Sequence, residues 1–124
     1  MKIEVSNGEI VDKLTIIQIK LERITDEKKL NNLRKEQRVL DDAISKIMSK
    51  DDILYKKLYE VNTRLWDIED RIRKMEKGKD FGQEFIDTAR SVYFSNDERG
   101  RLKKQINLQT GSDLIEEKSY EDYC

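Results

Sequence analysis

The chain has no proline and no histidine, and its one cysteine, Cys124, is the last of 124 residues. The missing histidine carries the most chemical weight. It removes the commonest general base, the imidazole metal ligand and every Ser-His or Cys-His nucleophile pair. Catalysis would have to rest on carboxylates, Lys, Arg, Tyr and Asn. Four-helix carboxylate metal sites built on Glu-x-x-His pairs are excluded in that form, and no metal or cofactor is expected. A lone cysteine makes no internal disulfide, so a cytoplasmic location is the default expectation. The opening "MKIEVSNGE" lacks an apolar signal core, and no apolar run nears the roughly 20 residues of a membrane span, so no membrane insertion is expected. Gly-rich phosphate loops, dinucleotide fingerprints and catalytic serine motifs are also missing.

An excess of one charge is lacking too. There are 25 basic and 26 acidic residues, for a net charge of −1. "RGRLKK" at 99–104 is a short basic cluster, but this balance argues against general nucleic-acid binding. What is abundant is charge of both signs, at 41% of residues against 36% hydrophobic. The globular average for charged residues is about 25%. Disorder needs low hydrophobicity together with high net charge, and here the apolar residues are periodic. The composition fits one domain, 1–124, built of long amphipathic helices.

Helix boundaries follow from caps and spacing. In "VSNGEI", Ser6 and Glu9 have capping-box spacing, with Val5 and Ile10 as a hydrophobic staple. A first helix is expected over about 7–24, with a heptad seam of Ile10, Leu14, Ile17, Leu21 and Ile24. Ile16 and Ile19 widen that stripe, which predicts more than one packing neighbour. A second helix over about 26–48 starts at a Thr25 or Asp26 cap and carries Leu30, Leu33, Leu40, Ile44 and Ile47. Gln37 interrupts its seam, read as an exposed position rather than a register-setting one. The third helix, about 52–77, keeps Leu54, Leu58, Val61, Leu65, Ile68, Ile72 and Met75 in unbroken 4, 3 alternation, and Gly78 is placed to stop it. Asp80 and Gln83 open a fourth over about 81–109. A second capping pattern, "SNDE" at 95–98, leaves a kink or a continuous helix open, with continuity the preferred reading and Gly111 as its end. Composition makes 112–124 a mostly irregular tail. The fold class expected is all-α, an elongated antiparallel bundle or hairpin with coiled-coil-like seams. Seams this long on a small chain leave apolar surface for a second copy, so a homodimer is expected.

The one tryptophan raises the functional question. One position after each seam residue of the third helix come Tyr55, Tyr59, Asn62, Trp66, Glu69 and Arg73, a second row along the flank. Such a row can edge the core, meet another protein, or wall a ligand site. The fourth helix supplies Arg90, Tyr93 and Asp97 on one row, with Asn96, Lys103 and Asn107 on another. Arg90 can bridge to Asp70 or Glu69, or hold a phosphate or carboxylate. Arg64, Arg90, Tyr93, Asn96 and Lys103 are the candidate anion-binding set. Asp67 and Asp70 point away from Glu69, so these acids read as a solvated face and not a Mg²⁺ site.

"VSNGEIVDKLTIIQIKLERI", "VNTRLWDIEDRIR", "FIDTARSVYFSNDERGRLKKQIN" and "GSDLIEEKSY" together resemble a family of small bacterial proteins classed as a domain of unknown function. The resemblance covers nearly the whole chain and is weakest over Thr25 to Lys57. It implies a bacterial or phage source, and a possible protein partner among glycosyltransferase-type proteins of surface-polysaccharide synthesis. It also implies that Glu116, Glu117, Lys118 and Tyr120 fold back on the bundle, against the composition of the tail. Two functions follow. The first is a non-enzymatic helical interaction module acting through protein–protein contacts. The second is an enzyme or binder for an anionic ligand such as a sugar phosphate or dicarboxylate, using Arg, Lys and Glu on the helices. Convergence of Arg73, Arg90 and Asn96 without carboxylate partners would favour the second.

Overall fold

The first helix begins where the capping spacing places it. The computed structural model describes residues 1–123, so Cys124 and the expectation attached to it lie outside the described residues. Helix α1 spans Asn7–Arg23, and the Ser6 hydroxyl accepts from the Glu9 amide at 3.2 Å. The reciprocal half of the capping box does not form, because the Glu9 carboxylate instead pairs with Lys103 at 2.6 Å. A half-buried lysine ammonium is a stronger partner for a carboxylate than a backbone N–H.

Helix α2 covers Glu27–Ile44 and is capped by Asp26. It ends four residues earlier than the spacing predicts, with Ile47 and Met48 in the turn after it, still packed on the core. Gln37 is half-buried. Helix α3, Ile53–Lys77, is capped by Asp52, whose carboxylate accepts from the Leu54 amide at 2.8 Å and from Gln109 Nε2 at 2.9 Å. Gly78 ends it with an ordinary negative φ, and the left-handed residue is Lys79 at φ 56°. Helix α4, Gln83–Thr110, runs unbroken through Ser95, which is buried. Gly82 takes the N-cap position; Asp80 accepts from the Gly82 amide rather than capping a helix from residue 81. Gly111, at φ 67°, closes α4 in the left-handed conformation that suits a glycine C-cap.

Four helices therefore form a bundle, with no strand among the described residues. α3 and α4 make an antiparallel hairpin, as Asp52 meets Gln109 and Arg64 meets Glu98. α1 lies antiparallel to α4, since Asn7, Gly8, Glu9 and Asp12 meet Thr110, Asn107, Lys103 and Arg99 in that order. α2 packs on α1 alone, so α1 touches all three other helices. That central place explains its wide stripe: Val11, Leu14, Ile17 and Ile19 are all buried. Val11, Leu14 and Ile17 join Leu33, Leu40 and Ile44 of α2, Leu58 and Val61 of α3, and Leu102 and Ile106 of α4 in one core. Each such aliphatic side chain contributes roughly 2 kcal/mol by leaving water.

Gly8 sets how closely α1 approaches α4. A Cβ there would stand 2.5 Å from the Lys103 carbonyl oxygen and 3.0 Å from Asn107 Oδ1. Ala usually gains about 1 kcal/mol over Gly inside a helix, but a backbone carbonyl cannot move aside like a flexible side chain. Gly8→Ala should therefore destabilise by about 1–3 kcal/mol. Gly82→Ala, with only Asp80 Oδ1 at 3.6 Å, should change little. Urea unfolding followed by circular dichroism compares the two directly.

Candidate functional site

The polar heart of the bundle is Asp12, a carboxylate only 1% exposed. A buried charge needs pairing and hydrogen bonds, and Asp12 receives three. Arg99 donates through Nε to Oδ1 at 2.9 Å and through Nη2 to Oδ2 at 2.5 Å. Asn62 Nδ2 donates to Oδ1 at 2.9 Å and also to Thr15 Oγ1 at 2.8 Å. The Thr15 hydroxyl in turn donates to the Asp12 carbonyl at 2.7 Å. One residue each from α3 and α4 thus grips α1. The hydrogen bond to Asp12 outweighs burial and raises the Arg99 pKa further above its already high value.

A second cluster closes the start of α1. The amides that open a helix have no partner inside it, and here three of them find one outside the helical ladder. Asn7 donates to Ser112 Oγ, Gly8 to Asn107 Oδ1 and Glu9 to Ser6 Oγ, and the Ile10 amide makes the first ordinary helical bond, to the Ser6 carbonyl. The Ser6 hydroxyl then donates to the Glu116 carboxylate, and Lys103 bridges Glu9 at 2.6 Å and Glu116 at 3.3 Å. Burial works against the Lys103 charge, but its bond to Glu9 and the charges of Asp12, Glu9 and Glu116 prevail and raise its pKa. Glu116 moves the other way, lowered by the Ser6 hydroxyl and by Lys103. The tail is irregular in backbone yet held along α4: Glu117 pairs with Lys104 and Tyr123 donates to Asp97 at 2.6 Å. Within the tail itself the Lys118 ammonium sits 5.8 Å from the Tyr120 ring centre.

The row beside the α3 seam descends from core to rim. Tyr55 is buried and donates to Gln18 Oε1 at 2.5 Å; burial, with the Asp41 charge, pushes its pKa up to about 12. Tyr59 donates to Glu22, and that bond raises its pKa also. Asn62 belongs to the Asp12 network. These three face α1 within the chain. Trp66 is half-buried, while Glu69 and Arg73 are exposed and pair at 3.3 Å. Trp66, Glu69 and Arg73 line a groove of about 500 Å³ with Asn62, Asn96 and Arg99. Ile16, Ile19 and Leu65 form its aliphatic floor, and Asp70 adds to its rim.

The candidate anion-binding residues do not converge. Arg64 pairs with Glu98 at 2.8 Å, and Lys103 is spent on Glu9 and Glu116. Arg90 makes no bridge to Glu69 or Asp70: it donates to the Tyr93 hydroxyl at 3.4 Å, and Asp70 pairs with Lys74. Tyr93 packs on Phe94 and Tyr123. Only Asn96 of this set reaches the Trp66 groove. No group of three acidic or cysteine side chains among the described residues is placed to hold a metal ion.

A model of the family of unknown function DUF6165 matches residues 1–123. The chain belongs to that family. No curated protein and no solved structure matches it. For this DUF6165 member the residues that spacing overlooked are Asp12, Thr15 and Arg99. Their signal was present as a second 4, 3, 4 row on α1 (Gly8, Asp12, Thr15, Ile19), with Arg99 opening the "RGRLKK" cluster that was read only for its basic charge.

Two predictions follow from these clusters. Arg99→Met leaves the Asp12 charge buried without its cation and should cost about 3 kcal/mol. The pair Asp12→Leu with Arg99→Met should recover much of that loss in the same denaturation assay. Glu116 has a lowered pKa in the folded state, so its contribution is present at neutral pH. That contribution is lost as pH falls below the usual carboxylate range and through the lowered value. Proteolysis of the 112–123 segment should therefore accelerate on acidification before α3 and α4 lose helicity, and Glu116→Gln should show the faster cleavage already at neutral pH.

Proposed function

We propose that this chain is a non-enzymatic helical interaction module that acts as a homodimer in the cytoplasm. Its service is to glycosyltransferase-type proteins of bacterial surface-polysaccharide synthesis. The observation that carries the reading is neutralisation. Arg64, Arg73, Arg99 and Lys103 each have a carboxylate partner, at 2.8, 3.3, 2.5 and 2.6 Å. An enzyme working on a sugar phosphate or dicarboxylate needs cations left over for its substrate. Meanwhile no helix among the described residues is long and apolar enough to cross a membrane, and α4 exposes Ile86, Tyr93, Phe94 and Leu108 at 42–64%. Apolar surface of this kind suits contact with protein. The link to glycosyl transfer draws on the resemblance carried by the quoted strings. The anionic-ligand alternative keeps one support: Arg90, whose hydrogen bond goes to a phenol instead of a carboxylate.

Sedimentation velocity over a wide protein concentration range is the deciding measurement. A monomer–dimer equilibrium is expected, with Ile86→Glu plus Phe94→Glu shifting it to monomer at unchanged helicity. A monomer at every concentration, combined with saturable binding of a sugar phosphate that Arg90→Ala abolishes, would replace this reading with the alternative.

A further inference from the structure

The Trp66 groove has hydrogen-bonding capacity that the fold does not use. Both bonds of the Asn62 Nδ2 group go to Asp12 and Thr15, which fixes the orientation of the amide. Its Oδ1 receives no hydrogen bond among the described residues, although Asn62 is only 5% exposed and lines the groove. Arg99 uses Nε and Nη2 on Asp12 and leaves Nη1 without a partner among the described residues. The Asn96 amide and the Trp66 indole N–H likewise make no hydrogen bond there. One fixed acceptor, one fixed donor, an adaptable amide and an indole thus border a single concavity.

Charge decides what kind of molecule suits it. Arg99 is neutralised by Asp12, Arg73 by Glu69, and Asp70 by Lys74. No net charge is left to attract an anion or a cation. The remaining surface is apolar and flat-walled: Trp66 at the side, with Ile16, Ile19 and Leu65 beneath. The ligand must therefore be uncharged. It must carry several donors and acceptors close together and present a C–H face to an aromatic wall. We propose that the groove binds a neutral pyranose sugar. Its hydroxyls meet Asn62 Oδ1, the Asn96 amide and Arg99 Nη1, and its C–H face lies on the Trp66 indole. A volume of about 500 Å³ falls within the range of small-molecule sites, roughly 300–1,000 Å³. Aromatic side chains with one polar atom suit ligands that are apolar on one face and wet on the other. The Asp12 network is what holds Asn62 and Arg99 in place before a ligand arrives, which lowers the ordering cost of binding.

The inference stands apart from the proposed dimer, since the groove residues come from α1, α3 and α4 of one chain. The test uses the full-length protein, with Trp66 emission as the readout and a panel of neutral mono- to tetrasaccharides as probes, each neutral parent paired with its phosphate ester, plus free nucleosides. Saturable change with at least one neutral saccharide is expected, unaffected by ionic strength because no ligand charge is screened. Asn96→Ala, at a half-exposed residue without hydrogen bonds, should weaken that binding about tenfold at unchanged melting temperature. Trp66→Ala, followed by chemical-shift changes of the Asn96 side-chain amide, should weaken it as much. The proposal is overturned if no neutral saccharide binds, if phosphates or nucleosides bind more tightly than the neutral parents, or if Asn96→Ala binds as the parent does.

Discussion

The polar network that ties α1 to α3 and α4 is organised by one carboxylate. Asp12 sits on the helix that touches all the others, at a depth where an unpaired charge would be costly by several kcal/mol. The fold meets that constraint by bringing Arg99 from α4 and Asn62 from α3 to the same two oxygens. Apolar seams alone would allow α1 to slide or rotate against the α3–α4 hairpin with little change in buried area. A forked guanidinium and a fixed amide do not allow it, because their geometry is satisfied in one register only. Gly8 supports the same register by letting the helix backbones come close, and Asn107 locks it by accepting from the Gly8 amide.

The helical bundle was readable from spacing because the periodicity of an amphipathic helix is spread over many residues and tolerates local ambiguity. The α3 seam is buried at Leu58, Val61 and Ile68 and half-buried elsewhere. Caps at Ser6 and Asp26 and the terminator at Gly111 also fall where side-chain chemistry places them. The errors are local. The α2 end depends on whether Ile47 and Met48 can reach the core without helical backbone, which spacing does not encode. Gly78 does stop α3 where expected, with the left-handed conformation falling on Lys79 next to it.

The site was less legible, for a physical reason. A charged residue in a sequence carries no mark of its partner, and partners here lie 50 and 87 positions from Asp12. Arg64, Arg73 and Lys103 were reasonable anion ligands until their carboxylates were seen. Asn62 was singled out through its place beside the seam, but Asp12 and Arg99 looked like any other members of a solvated, mixed-charge surface. The tail illustrates the same point. Its composition is that of a loose end, yet contacts to Ser6, Asp97, Lys103 and Lys104 hold it against the bundle.

Those contacts bear on how the molecule comes to be made. The amides of Asn7 and Gly8 find their partners at Ser112 and Asn107, and Ser6 finds Glu116. On a ribosome, α1 is made before α4 and so waits for the partners that close its end. Helical bundles usually fold quickly because their contacts are local. Here α1 and α2 can pair early, but Asp12 waits with its charge exposed until α4 has emerged. The central helix is committed to its final register only once α4 has been made, so its early pairing with α2 stays provisional until Arg99 arrives.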